Sequence, residues 1–414
     1  MFISLLLNCL ASGSGLVKKF IIFREVTGLA IGVFFIFSFQ QSFAQVSAVS
    51  GSARVIKVGP LREVKTIAAA SNLANNGDVV EVDAGDYSGD VAIWRQDRLT
   101  LRAVGGQVRL VASGASVEGK GIWVIRGGQI SVSGFDFVGA AVRDKNGAGI
   151  RLEKGQLSVD NCRFLDNENG ILTANNAEIT LKVRNSEFGH NGAGDGQSHN
   201  IYVGGIDHLQ VTGSYFHHAR SGHLLKTRAV ENFILYNRLV DGEKGRASYE
   251  LEFPNGGIAY VIGNVIEQSP TTENNHLISF GAEGLRWPKN ELYLVNNTLI
   301  DLRAEPGVFL RVKEGVSVVY AVNNLLVGKG SLDSVALGEY GNNFNVDAVN
   351  FVNLAAHDYR LKVSSRLVGK AITPKPSNNV NLQPESEYVH PLATQPVILP
   401  PFSPGALQSL GPRS

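Results

Sequence analysis

A short apolar strand, then Asn or Gly, then a second apolar pair recurs along the middle of the chain. The copies read SVSGFDF, SVDNCRF, KVRNSEF, QVTGSYF, ILYNRLV, VIGNVIE, LVNNTLI and AVNNLLV. Their marker residues, Gly134, Asn161, Asn185, Gly213, Asn237, Asn264, Asn297 and Asn324, lie 27, 24, 28, 24, 27, 33 and 27 residues apart. A period in this range means a stacked array, because no single unit buries its apolar face alone. The unit holds strands without a helical stretch, which argues against helical repeats and leucine-rich horseshoes. An all-β solenoid remains. With coils about 4.8 Å apart, roughly ten of them make a rod on the order of 50 Å long. Asparagines at the turns would stack coil on coil and satisfy buried backbone groups, a structural role.

Composition agrees with this. Glycine is abundant, at 46 residues, and charged residues are only 18%, a mix suited to short strands and tight turns. Lys plus Arg is 38 against 37 acids, so overall charge gives no reason to expect nucleic acid as a partner. Residues 1–44 read as a signal peptide, with Lys18, Lys19 and Arg24 before the apolar run Leu29–Phe39 and a small-residue cleavage site after Ala44. A retained signal anchor is the alternative, and in both cases the body is exported, periplasmic or secreted. Stable membrane insertion is not expected once the signal is cleaved, and a monomer is. Loss of Cys9 with the leader leaves Cys162 alone, as a buried small hydrophobe.

The solenoid with its caps spans residues 61–365. A helical pattern over Leu61–Leu73, then the strand beginning Asp78-Val79-Val80, reads as an N-terminal cap over the first coil. The 33-residue interval requires an insertion, placed at Gly281–Asn290 with Arg286 and Trp287. Residues 371–414 are Pro-rich and read as an irregular tail.

The functional face is expected at residues 199–252. Six of the nine histidines fall between His190 and His223. Strand alternation, with apolar positions inward, gives an outward column Tyr202–Lys226–Glu252–Ser279 and a second column Asn200–Leu224–Glu250, with Tyr249 inward. Arg228 extends the edge. His199, His223 and His276 sit at equivalent strand starts, and Arg220 on the turn leading to His223. A Lys beside an Arg, with Tyr or His to return a proton, suits proton abstraction next to a carboxylate. The bland readings are a salt-bridge ladder for Lys226/Glu252 and hydrogen-bonded histidines at the strand starts. His217-His218 reads as a surface turn, and no tight His-x-His or Cys-x-x-Cys spacing signals zinc. Glu250 and Glu252, with Asn200, offer oxygen ligands to calcium, the one cofactor this set admits.

From about residue 61 to 365 the chain resembles the right-handed parallel β-helix, pectin-lyase-like superfamily. It is closest to exported bacterial β-helix repeat proteins, on the stretches GHLLKTRA, SYELEFPNGG and ISFGAEG. The resemblance implies a carbohydrate-active protein on an acidic polysaccharide, lyase- or epimerase-like. Lys226 would be the base, Tyr202 or His223 the proton donor, and Arg228 with Glu250/Glu252 would manage substrate charge. His199 would be catalytic too; Asn200, Arg220, His276 and Trp287 would bind substrate. Lys226 and Arg228 precede the glutamates, an order that departs from calcium-assisted lyases. The closely spaced aspartates of polygalacturonases are missing. The alternatives are a non-catalytic polysaccharide-binding or envelope scaffold protein and a plain structural β-helix.

Overall fold

The computed structural model describes residues 53–333, 338–397 and 402–411, so the expected leader at 1–44 lies outside the described residues. The chain winds into a parallel β-solenoid of about ten turns. Each turn adds a strand to a 10-stranded parallel sheet on one side and two short strands to a 21-stranded sheet on the other. The interior is mostly apolar. Its clearest feature is a file of phenylalanines, Phe137, Phe164, Phe188 and Phe216, stacked at 4.9, 4.7 and 4.7 Å from successive turns. Repetition at one position of the coil forces identical rings into stacking distance.

The cap helix is shorter than its pattern, running Ile67–Leu73. Thr66 is extended there and its hydroxyl accepts from Ala69 N–H. Asp90 of the next turn accepts from Ile67 and Ala68 N–H at 2.6 and 2.8 Å. Together they fix the helix start by satisfying its free amides.

The markers prove to belong to two neighbouring columns. Gly134, Asn161, Asn185 and Gly213 hold a left-handed backbone, as do Tyr236, Gly263, Asn296, Asn323 and Asn342 in later turns. The residue after each points inward, and from Cys162 onward these residues form the ladder. Asn237, Asn264, Asn297, Asn324 and Asn343 bond in sequence: the backbone N–H and side-chain amide of each donate to the carbonyl oxygen of the next, at 2.8–3.1 Å. Ser214, Ser186 and Cys162 continue that column toward the N-terminus. One position needs positive φ, which Gly and Asn tolerate; the next needs an inward amide. Asn serves both, so the sequence alone did not separate them. Cys162 is buried, and burial pushes its thiol up to about 12.

Beyond the last turns an antiparallel pair, Phe351–Asn353 with Asp358–Leu361, closes that end. From Ala371 the chain returns along the 21-stranded sheet. Leu382 packs among Tyr236, Tyr260 and Tyr293, Tyr236 Oη accepts from Glu385 N–H at 3.0 Å, and Ser386–Val389 pairs with Ala393–Pro396 as a hairpin. Among the described residues no helix is long and apolar enough to cross a membrane.

Candidate functional site

The 10-stranded sheet carries the expected column in register. Tyr202 pairs with Lys226, Lys226 with Glu252, and Glu252 with Ser279. The strands Ile201–Val203 and Leu225–Thr227 bury their first and last residues and leave the middle one part-exposed, whereas at the same position of the next two turns Glu252 and Ser279, expected outward, are buried. Side chains on this face are partly covered by the loop between strands His276–Phe280 and Glu291–Val295, where the insertion was expected.

That loop supplies Glu283, which sequence reasoning missed. Its carboxylate receives Arg228 Nη1–H and Nη2–H at 2.7 and 3.0 Å and Lys226 Nζ–H at 3.1 Å. Arg228 beside it holds the Glu283 carboxyl down at about 2. Arg228 also donates to Tyr202 Oη at 3.2 Å and to Asn255 Oδ1 at 2.6 Å, and it lies over the Tyr202 ring at 5.7 Å. Trp287 donates its indole N–H to the Arg228 carbonyl at 3.2 Å, which pins the loop to the sheet. Tyr202, Arg228, Asn255, Glu283, Arg286 and Trp287 line an open cleft of about 600 Å³.

Lys226 has a second carboxylate, Glu252, at 3.1 Å. Glu252 is 3% exposed and bonds His223 Nε2 at 2.8 Å. Burial pushes its carboxyl up, but His223 and Lys226 outweigh that and hold it below its ordinary value. His199 Nδ1 accepts from the His223 backbone N–H at 3.0 Å, and its ring lies 5.0 Å from Tyr202 and 4.5 Å from His223. That acceptor role assigns the His199 proton to Nε2. Burial, and then His223, hold His199 well below the ordinary imidazole value, so it is neutral.

Several expected positions are corrected. Tyr249 faces outward between His223 and His276: its ring meets His223 at 5.3 Å and its Oη accepts from Arg311 at 3.0 Å. Asn200, Leu224 and Glu250 are fully buried instead of forming an outward column. They precede the first strand residue, where the coil turns a corner and strict alternation no longer applies. Asn200 is a ladder residue: its Oδ1 accepts from the Asn191 side chain at 2.9 Å, and its amide donates to His217 O at 2.8 Å. Arg220 pairs with Asp166 at 2.5 Å beside a different cavity. His276 shares the face, and its ring Nδ1 lies 3.3 Å from its neighbour Asn274 Oδ1.

Glu250 and Glu252 do not fit calcium. Glu252 is committed to Lys226 and His223, and both Glu250 oxygens are buried without a hydrogen-bond partner. Burial first, then Asp241, pushes the Glu250 carboxyl well above its ordinary 4.5. The native chain therefore retains a proton that the unfolded chain releases. This contribution to stability is full below about pH 4.5 and is lost as pH rises toward the folded value. Asp241, raised to about 6 by burial, acts in the same direction. In Glu250→Gln the loss is removed, so its urea midpoint rises relative to the parent's as pH increases above about 4.5. A gap that is flat with pH would contradict a protonated Glu250.

No protein-family model matches the sequence, and no curated protein does. Among solved structures, pectate lyase Pel9A superposes with a TM-score of 0.51 at 12% identity, over 86% of this chain and 97% of that one. The PL6 family polysaccharide lyase Pedsa3628 from Pseudopedobacter saltans gives 0.36 at 13% identity, over 80% of this chain and 98% of that one.

Proposed function

Starting from a pectin-lyase-like parallel β-helix, we propose that this chain acts outside the cytoplasm on an acidic polysaccharide. It takes a proton from the carbon next to a carboxylate, as a lyase or epimerase does. One observation carries the reading: Lys226 and Arg228 already grip a carboxylate, that of Glu283, at the mouth of an open cleft. A uronate carboxylate replaces it at little electrostatic cost, because one anion is exchanged for another on the same two cations.

Roles follow from what each group has free. Lys226 spends its donors on Glu252 and Glu283, which suits a carboxylate-binding ammonium. Binding the substrate carboxylate there disperses the charge that builds up as the adjacent proton leaves. Tyr202 is the proton-transfer group, since its phenol lines the cleft beside Arg228. His199 and His223 are positioning residues: the first offers only its Nε2 proton, and the second is tied to Glu252. This moves the base from Lys226, expected on sequence grounds, to Tyr202. Calcium has no part in it.

The deciding experiment is ultraviolet absorbance of the purified chain on a panel of uronic-acid polysaccharides. A rise from the new conjugated double bond, lost in Tyr202→Phe, supports elimination. Proton exchange into the polymer without that rise supports epimerisation. Binding with neither favours the second reading, a non-catalytic polysaccharide binder, for which the full pairing of Lys226, Glu252 and His223 speaks. No binding to any of the polymers overturns both. In Glu283→Gln the competing carboxylate is gone. An exposed ion pair is worth about 1 kcal/mol, so polymer affinity should rise about fivefold. Unchanged or weaker binding would show that Glu283 does not occupy the substrate's place.

A further inference from the structure

At the corner just after strands Glu187–Gly189 and Tyr215–His217, three histidines meet. Strand Glu187–Gly189 pairs in parallel with Tyr215–His217, which sets Gly189 opposite His217. His190 and His218 follow these strands one turn apart, both with a left-handed backbone, φ 56° and 47°. That conformation is uncommon for a residue with a bulky side chain. It stacks the two rings at 4.8 Å and 22°, and His217 meets His190 edge-on at 5.2 Å. One nitrogen from each of the three lies within 4.8 Å of the others.

We propose that His190, His217 and His218 form a binding site for a divalent transition metal of the zinc type, with Glu187 as the carboxylate that orients His217.

The arrangement has the parts such a site requires. Glu187 Oε1 lies 3.1 Å from His217 Nε2. With the proton on that nitrogen, the Nδ1 lone pair is left for a metal, the usual carboxylate–histidine–metal relay. His217 Nδ1 faces His218 Nδ1 at 2.8 Å. Zinc bonds imidazole nitrogen at about 2.0–2.1 Å, so tetrahedral neighbours stand about 3.3 Å apart. The three nitrogens, all within 4.8 Å of one another, are close enough to converge on one ion. Room for the rings is built in: a Cβ at Gly189 would lie 2.1 Å from His217 Cε1, and one at Gly242 would lie 2.5 Å from His218 Nε2. The site opens on a cavity of about 310 Å³ bordered by Arg220, Lys244 and Arg246. Three protein nitrogens and an open side match a site that keeps a water or an anion as its fourth ligand. The basic rim favours the anion.

The test is a zinc titration of the full purified chain after chelation, followed by calorimetry and elemental analysis, with copper(II) paramagnetic resonance on the same samples. One zinc per chain and nitrogen splitting in the copper spectrum are expected. Glu187→Gln should weaken zinc about 10- to 100-fold. His190→Asn should weaken it further while keeping a residue that tolerates positive φ. Circular dichroism of that exposed-site variant separates loss of ligand from loss of fold. Absence of saturable binding, or binding that survives His190→Asn combined with His218→Asn, would reduce the cluster to stacked imidazoles with a His217–Glu187 pair and overturn the proposal.

Discussion

Replacing Arg228 with alanine lowers kcat/KM on a responsive uronate polymer, or affinity if the chain only binds, by on the order of a hundredfold, about 3 kcal/mol. Arg228 makes the paired hydrogen bonds to a carboxylate in this cleft, at 2.7 and 3.0 Å to Glu283. Hydrogen bonds to a charged group are each worth about 1.5–3 kcal/mol. The loss is partly offset because Lys226 remains. Lysine at 228 does not rescue it, since a point charge lacks the planar fork that matches a carboxylate. Lys226→Ala lowers the same quantity but also strips Glu252, 3% exposed, of its lysine partner. Its unfolding midpoint therefore falls as well, whereas Arg228, at the rim, costs function more than stability. A change under threefold in Arg228→Ala, with the fold intact, would remove the carboxylate grip from the mechanism.

Asn297→Leu lowers stability by about 3–5 kcal/mol, read as the urea midpoint. Asn297 is fully buried. Its carbonyl oxygen takes the Asn264 backbone and side-chain N–H at 2.9 and 3.1 Å, and its amide donates to Val261 O at 2.9 Å and Asn324 Oδ1 at 3.0 Å. Leucine matches the size but strands several of these groups without water, and each costs about 1–3 kcal/mol. The contrast is Asn161→Gly. Asn161 belongs to the left-handed column and is exposed, so glycine fits its backbone and the midpoint hardly moves. Equal losses at both positions would mean that the two columns do not differ in role.

Interval and alternation determined a great deal without coordinates. The period required stacked coils, and the in-register set Tyr202, Lys226 and Glu252 followed because a buried sheet face enforces a two-residue repeat. The excess length before Glu291 located the loop that crosses the site. Alternation gave out at corners, where Glu250 and Asn200 turn inward and Tyr249 turns outward, because the period belongs to strands and the coil bends just before them. Proximity across turns was also hidden. Glu283 lies 55 residues from Arg228 and yet shares two hydrogen bonds with it. His190 meets His217 and His218 only because one turn of the solenoid brings residues a full coil apart into contact. Sequence fixes which side chains each coil carries; stacking of the coils decides which of them touch.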